Sequence, residues 1–320
     1  MASVDLNDAY YSIPVNPEHR KYLMFEWEDQ YYQFTCLPNG LSSTPAVFTK
    51  ILKPVYSHLR SIGHMCMGHI DDSRLVAYSL GSCRKNIYHT VNLFTLLGFT
   101  IHPVKSDLEP TQTIQFLGFV INSVAITVKL PASKAAKVKS ACQNLVLNCN
   151  PIIREVAQVI GLIVSSFPAV QYAQLHYRTL ESEKIHALKV NAGNYEFTMT
   201  LSQMAKTELT WWIENIDMAS RPIMFGNPDI TITTDASNLG WGAVCNGTKT
   251  GGPWGKDEAD FHINYLDMKA VLLGLKSLCN NTTGTHVRVQ SDNTTTVSYS
   301  KRGQHKAFHK LYETPQVYLT

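Results

Sequence analysis

Apolar and polar positions alternate from the start of the chain: in Ser3-Val4-Asp5-Leu6, Val4 and Leu6 face one side of a predicted strand and Asp5 the other. Two further strand patterns, Tyr22 to Trp27 and Tyr31 to Thr35, flank the polar turn Glu28-Asp29-Gln30 and predict a hairpin. After Pro45 the apolar positions Val47, Phe48, Ile51, Leu52 and Val55 have helical spacing. Met65 to Val76 then predicts two strands joined by a turn at Asp71-Asp72, and Asn86 to Leu97 predicts an amphipathic helix closed by Gly98.

Beyond about residue 123 helical spacing dominates. Pro131-Ala132-Ser133 leads into a helix carrying Lys134, Lys137 and Lys139. Asn150 reads as an N-cap, with Pro151 at the first position of a helix reaching Ser165. Another helix ends near Trp211-Trp212-Ile213. From Pro228 alternation returns in Ile230 to Asp235, followed by a turn at Asn238-Leu239-Gly240 and a second strand from Trp241 to Cys245. Asn264 is expected to cap a helix through Cys279, and Val287 to Asp292 reads as a strand. The chain is therefore α+β in three regions, residues 1–122, 123–222 and 223–320.

Composition narrows the class. With 44% hydrophobic and 17% charged residues, 320 residues can bury sizeable cores. The longest apolar runs, such as Val159-Ile160-Gly161-Leu162-Ile163-Val164, are far below the roughly 18 to 20 residues of a membrane span, and the N-terminus has no secretory pattern. Seven cysteines without a C-x-x-C pair fit reduced thiols. These features predict an intracellular protein, cytoplasmic or nuclear, that is neither secreted nor membrane-bound. A net charge of +3 is too small to argue for nucleic acid by itself, so that case rests on local chemistry.

Asp71-Asp72 has an ordinary explanation, because Asp tolerates tight turns and caps local amides. Here, however, apolar residues lead into the pair and Leu75-Val76-Ala77 follow, anchoring the hairpin in a core with two like charges at its tip. Packed beside Asp5, such carboxylates repel unless cations neutralise them. Hard oxygen ligands suit Mg²⁺, and two such ions can clamp the attacking and leaving oxygens of a phosphoryl transfer.

Ser3-Val4-Asp5-Leu6-Asn7-Asp8-Ala9-Tyr10, Leu37-Pro38-Asn39-Gly40-Leu41-Ser42-Ser43-Thr44-Pro45, His69-Ile70-Asp71-Asp72, Leu97-Gly98-Phe99 with Lys105, and Phe116-Leu117-Gly118-Phe119 resemble, in order, reverse transcriptase motifs A to E. The wording of Cys36 to Ser43 and of Arg154 to Gly161 resembles the polymerase of DIRS-like retrotransposons, the group that encodes a tyrosine recombinase. The resemblance implies a ferredoxin-like palm with incomplete fingers in residues 1–122, a mainly helical thumb or connection in 123–222, and a truncated ribonuclease H-like α/β domain in 223–320.

Carried onto these residues, it makes Asp5, Asp71 and Asp72 the palm carboxylates for two Mg²⁺ ions, with Mn²⁺ an alternative and with Asp5 and Asp71 the direct ligands. Tyr10 falls at an aromatic gate against a ribose 2′-hydroxyl, where a core tyrosine is the competing reading. Asn39 and Gly40 would lie against the incoming nucleotide and template, although Asn-Gly alone is most often a turn. Lys105 would donate toward the departing pyrophosphate, or is a solvated surface charge. Phe116, Leu117 and Gly118 would form the primer grip, against ordinary strand core with a glycine bulge. Lys134 and Lys137, with Lys129 and Lys139 nearby, would track backbone phosphates, or form a solvated face. In the third region, Asp235, Asp267 and Asp292 resemble the acids of a retroelement ribonuclease H and would converge on two further Mg²⁺ ions. The implied partners are an RNA template, a DNA primer, an RNA–DNA hybrid and deoxynucleoside triphosphates.

Three positions depart from the pattern. His69 stands where Tyr usually precedes the aspartate pair, Arg74 where an apolar residue is usual, and Asp267 where the helix acid is normally the longer Glu. The chain opens directly on the Asp5 strand and stops at Thr320 before the fourth acidic position, so the resemblance implies a fragment truncated at both ends. The expected function is RNA-directed DNA polymerisation with an attached ribonuclease H. The departures and truncations support the rival expectation, a catalytically inactive or co-opted remnant that binds nucleic acid.

Overall fold

The computed structural model describes residues 1–224, 226–258, 260–280, 285–302 and 318–319. The chain divides into two compact units, residues 1–127 and 128–320. The first contains β1 (Ala2–Asn7), β2 (Met24–Trp27), β3 (Gln30–Gln33), α1 (Thr44–Ser61), β4 (Met65–His69), β5 (Asp72–Val76), α2 (Leu80–Leu96), β6 (Thr100–Ile101), β7 (Thr113–Phe116) and β8 (Phe119–Asn122). β4, β5, β1 and β6 form an antiparallel sheet in that order, and β2–β3 and β7–β8 are hairpins.

The period-2 pattern of β1 decides which face is covered. Ala2, Val4 and Leu6 bury against Phe48, Leu52, Val55, Tyr56 and Leu59 of α1 and against Phe94 of α2. This leaves Asp5 on the opposite face. Val47 and Ile51, expected in the apolar stripe of α1, are instead exposed, because the face meeting the sheet is the one running through Phe48, Leu52, Val55, Tyr56 and Leu59. Other boundaries also differ from expectation. Tyr22 and Leu23 belong to a 3₁₀ helix, Pro17–Leu23, started by the Asn16 side chain accepting from Glu18 N–H. The second helix begins at Leu80, where the Ser79 hydroxyl accepts from Ser82 N–H. Gly98 does close it, with φ +87°.

β9 (Thr127–Lys129) precedes the second unit's helices, α3 (Ala132–Leu147), α4 (Ile153–Val164), α5 (Arg178–Val190) and α6 (Gln203–Asn215). They pack around Trp212, Ile153, Ile163 and Leu180, all fully buried. The cap of α4 is Ile152 rather than Asn150: its N–H is taken by the Glu155 carboxylate, while Pro151 is drawn into the core and accepts from Met199 N–H. The sequence pattern left α5 unmarked because that helix is largely polar. It is held by the buried carboxylate of Glu208 on α6, which accepts from Thr179 and Leu180 N–H.

After β10 (Arg221–Pro222) come β11 (Ile230–Ala236), β12 (Gly240–Cys245), β13 (Thr248–Pro253), α7 (Ile263–Leu278), β14 (His286–Gln290), α8 (Thr294–Arg302) and β15 (Tyr318–Leu319). The sheet order is β13-β12-β11-β14-β15, with β11 to β13 an antiparallel meander and β14 parallel to β11. α7 is the crossover between the antiparallel and parallel parts and packs on β11 and β12. Its cap is His262, whose ring accepts from Asn264 N–H, so Asn264 lies inside the first turn instead of capping it.

One glycine fixes the height of α1 over the sheet. The Tyr56 ring lies directly on Gly68 of β4, where an added Cβ would overlap it, and the Tyr56 hydroxyl is hydrogen-bonded to buried Ser73 of β5 at 2.6 Å. Gly68→Ala is expected to destabilise the first unit by about 1–3 kcal/mol. A denaturant midpoint equal to that of the unmodified chain would contradict this packing.

Candidate active sites

The first site is built by register. Asp5 of β1 pairs directly with Asp72 of β5, and Asp72 pairs on its other side with His69 of β4. Cross-strand partners point to one face, so the two carboxylates meet on the face away from α1 and α2. The two-residue loop of this hairpin is Ile70-Asp71, not Asp71-Asp72, because Asp72 is already a paired strand residue. Ile70 has φ +56°, a costly conformation for a β-branched residue. The tip is tied down because the Asp71 carbonyl accepts from Leu6 N–H at 3.1 Å.

Burial raises the Asp72 carboxyl above its ordinary value, and Asp71 and Asp5 raise it further, including through a side-chain hydrogen bond with Asp5; His69 acts in the opposite direction. The Tyr10 hydroxyl is likewise raised, first by burial and then by Asp71. Tyr10 therefore sits beside the acids, its ring edge-on to Phe48 at 5.3 Å.

The remaining expected residues fall in three places. The loop carrying exposed Lys105 is stitched to β1: Asp5 N–H donates to Ser106 Oγ, His102 N–H donates to Asp5 O, and Ser3 N–H donates to Asp107 O. Asn39 is exposed and donates to the Tyr11 hydroxyl, next to Tyr10, while Gly40 at φ +88° supplies the turn. Leu117 and Gly118 form the loop of the β7–β8 hairpin, both with positive φ, which is turn geometry and not the alternative glycine bulge. Arg74 of β5 lies over the Phe116 ring at 5.6 Å, linking this hairpin to the strand of Asp72.

A groove of about 560 Å³ beside the tip is lined by Lys50 and Lys53 of α1 and by Gly68, His69 and Ile70. Both lysines are exposed. Sequence reasoning missed them; their signal was the i, i+3 spacing on the polar side of a helix whose other side carries Phe48, Leu52 and Val55. The lysines it did name are engaged differently in the second unit. Lys134 Nζ donates to the Ser165 carbonyl and Lys139 pairs with Asp217, whereas Lys137 is exposed.

The second site lies in the second unit. Asp235 is the penultimate residue of β11, Asp267 is in the second turn of α7, and Asp292 follows β14. Their oxygens lie within 4.8 Å of one another, and among the described residues this is the one such group of three acids. Asp235 and Asp292 are exposed, while Asp267 is buried. Burial raises the Asp267 carboxyl, a hydrogen bond from Asn293 lowers it, and Asp292 and Asp235 raise it.

Asp267 reaches the group despite its short side chain because α7 rides close to the sheet. Seven residues along the same face, a Cβ at Gly274 would be 2.8 Å from Ala243 Cβ and 3.2 Å from Thr234. Three converging carboxylates are a hard, anionic donor set that fits Mg²⁺ or Mn²⁺. In the first unit Asp5 and Asp72 are the same donor type and meet across the strand pair, with Asp71 at the adjoining tip, but the three do not converge within 4.8 Å.

Residues 1–121 match the family described as reverse transcriptase (RNA-dependent DNA polymerase). The Gag-Pro-Pol polyprotein of squirrel monkey retrovirus is 25% identical over 128 residues, 37% of this chain and 7% of that protein. The Gag-Pol polyprotein of Rous sarcoma virus subgroup C (strain Prague) is 28% identical over 133 residues, 38% of this chain and 8% of that protein. The chain thus spans less than a tenth of these curated relatives. Among solved structures, the foamy viral protease-reverse transcriptase in complex with RNA/DNA hybrid has a TM-score of 0.60 at 16% identity, covering 100% of this chain and 43% of that one. The same viral protein as the dRH form in complex with double-stranded DNA gives 0.61 at 15% identity, covering 100% and 56%. Among the described residues no helix is long and apolar enough to cross a membrane.

The raised Asp72 carboxyl has a consequence for stability. The unfolded chain ionises this group first, near 3.8, so ionisation works against the fold as pH rises from there through the higher folded value. In EDTA, Asp72→Asn is expected to raise the thermal midpoint at about pH 7 and to lose that gain below about pH 4. A gain of equal size at both pH values would contradict the assignment. Residues 1–121 are similar to the reverse transcriptase family, and the chain resembles the foamy viral structures in fold.

Proposed function

We propose that the chain is the catalytic part of an RNA-directed DNA polymerase of the DIRS-like retrotransposon type, with an attached ribonuclease H. The observation that carries this reading is the register of Asp5 against Asp72, with Asp71 at the adjoining tip, inside the segment that matches the reverse transcriptase family. Residues 1–122 are read as palm with partial fingers, 123–222 as thumb and connection, and 223–320 as the ribonuclease H-like domain. The foamy viral neighbours were solved with double-stranded DNA and with RNA/DNA hybrid, which supports a template–primer and a hybrid as partners here.

In this reading Asp5 and Asp71, with Asp72 in support, would hold two Mg²⁺ ions. Bound there, the metal supplies charge stabilisation for the attacking primer 3′-oxygen and the departing pyrophosphate. The protein's own residues do the positioning. Tyr10, held edge-on by Phe48, crowds a ribose 2′-hydroxyl and selects deoxynucleotides. Asn39 and Gly40 border the nucleotide and template, and Lys105, on the loop stitched to Asp5, meets the leaving phosphates. The Phe116–Gly118 turn holds the primer end. Lys50 and Lys53 supply backbone phosphate contacts along the groove next to the tip. Asp235, Asp267 and Asp292 hold the metals for hydrolysis of the RNA strand of a hybrid.

Two substitutions separate the activities. Asp71→Asn is expected to reduce primer extension on an RNA template to background while hybrid hydrolysis persists, and Asp235→Asn is expected to do the reverse. Extension retained by Asp71→Asn in a gel-based assay would sink the polymerase assignment. For the groove, Lys50→Ala and Lys53→Ala should each lower the slope of log binding constant against log salt by about 1. An unchanged slope would remove the lysines from the nucleic-acid path.

A further inference from the structure

The residue after Asp292 makes more contacts with the acid cluster than a helix cap requires. Asn293 opens α8: its Oδ1 accepts from the N–H groups of Thr295 and Thr296 at 2.9 and 3.1 Å, and its backbone carbonyl accepts from Val297 N–H. These donors leave no ambiguity about the amide's orientation, because the oxygen must face them and the NH₂ must face away. That NH₂ points into α7, where it donates to Asp267 Oδ2 at 2.6 Å and to Asn264 Oδ1 at 2.9 Å. Both amide hydrogens and the carbonyl oxygen are thus engaged, and one side chain joins the start of α8, the loop of Asp292 and the first two turns of α7.

We propose that Asn293 is the positioning residue of the acid cluster: it holds the Asp267 carboxylate by one oxygen, so that the other is presented to the metal together with Asp235 and Asp292. This rests on reading the cluster as a two-metal ribonuclease H centre. Asp267 is short and buried while its two partners are exposed; its carboxylate also takes a backbone hydrogen bond from Ala236, and Asn293 is the side chain that holds it. Asn264 fixes the partner in turn, by occupying the second amide hydrogen. Outer contacts of this kind typically govern metal affinity by about 10- to 100-fold.

The test exploits the two separable jobs of Asn293. Asn293→Ser keeps a good N-cap but loses the reach to Asp267. Asn264→Ala leaves the cap and Asp267 intact and releases only the amide. Mn²⁺ binding to the whole chain, followed by the electron paramagnetic resonance of free Mn²⁺, is read together with the thermal midpoint in EDTA; the component lost in Asp235→Asn identifies this site. The expected result is an Asn293→Ser protein that stays folded at the assay temperature in EDTA, its midpoint lowered only by the lost hydrogen bonds, with that component weakened by about 10-fold or more, and a loss of a few-fold for Asn264→Ala. Wild-type Mn²⁺ affinity in both variants would overturn the positioning role and leave the two-metal reading standing. If the unmodified chain has no component that Asp235→Asn removes, the metal centre and the positioning role both fall.

Discussion

The first unit depends on one constraint: β1 has its apolar residues on one face only. Ala2, Val4 and Leu6 must meet α1 and α2, and a slip of one residue would bury Asp5 and expose them. With that face committed, pairing with β5 sets Asp5 opposite Asp72 whatever their charges. The placement has an electrostatic cost: the Asp72 carboxyl is raised, first by burial and then by repulsion from Asp71 and Asp5. The hairpin that brings Asp71 to the same edge is held by Ser73 to Tyr56 below, by Leu6 N–H to the Asp71 carbonyl, and by Gly68, which admits the Tyr56 ring. In the proposed reading, divalent cations relieve the repulsion that the core creates.

The second unit reaches a similar charge arrangement by another route. Its three acids come from the end of an antiparallel strand, a crossover helix and the loop after a strand parallel to the first. The parallel pairing of β11 with β14 sends both chain ends toward one edge of the sheet, and α7 lays Asp267 over that edge. Close helix–sheet approach at Gly274 compensates for the short aspartate. The rival view of the chain as an inactive remnant drew on Asp267. Asp267 nonetheless lies within 4.8 Å of its partners.

Much of this was legible in the sequence, and the reasons are physical. Alternation over two to six residues reports which face of a strand is covered, so β1, β11 and β12 and the positions of Asp5 and Asp235 could be read directly. Ordered motifs singled out Asp71, Asp72, Lys105 and the Phe116 turn, and the structure puts Asp71 at a hairpin tip, Asp72 on β5, Lys105 on the loop bonded to β1 and Leu117-Gly118 between β7 and β8. Capping was less legible. Asn150, Asn264 and the start of α2 were misassigned because several residues near a helix start can serve and spacing does not rank them; the contacts made are Glu155 to Ile152, His262 to Asn264 and Ser79 to Ser82, all within the first turn. α5 had no apolar stripe to announce it, and depends on Glu208 from another helix.

The periodic faces, the order of the motifs and the residue types able to bind a hard cation are local properties of spacing and chemistry, so they can be read from the amino acids alone. Folding in three dimensions is what sets Asp72 rather than Asp71 in register with Asp5, turns Lys134 and Lys139 to partners within the fold while Lys50 and Lys53 line a groove, and brings Asn293 to Asp267. These outcomes depend on strand register, helix rotation and side-chain reach. They are fixed by packing between residues distant in sequence, which no local pattern encodes.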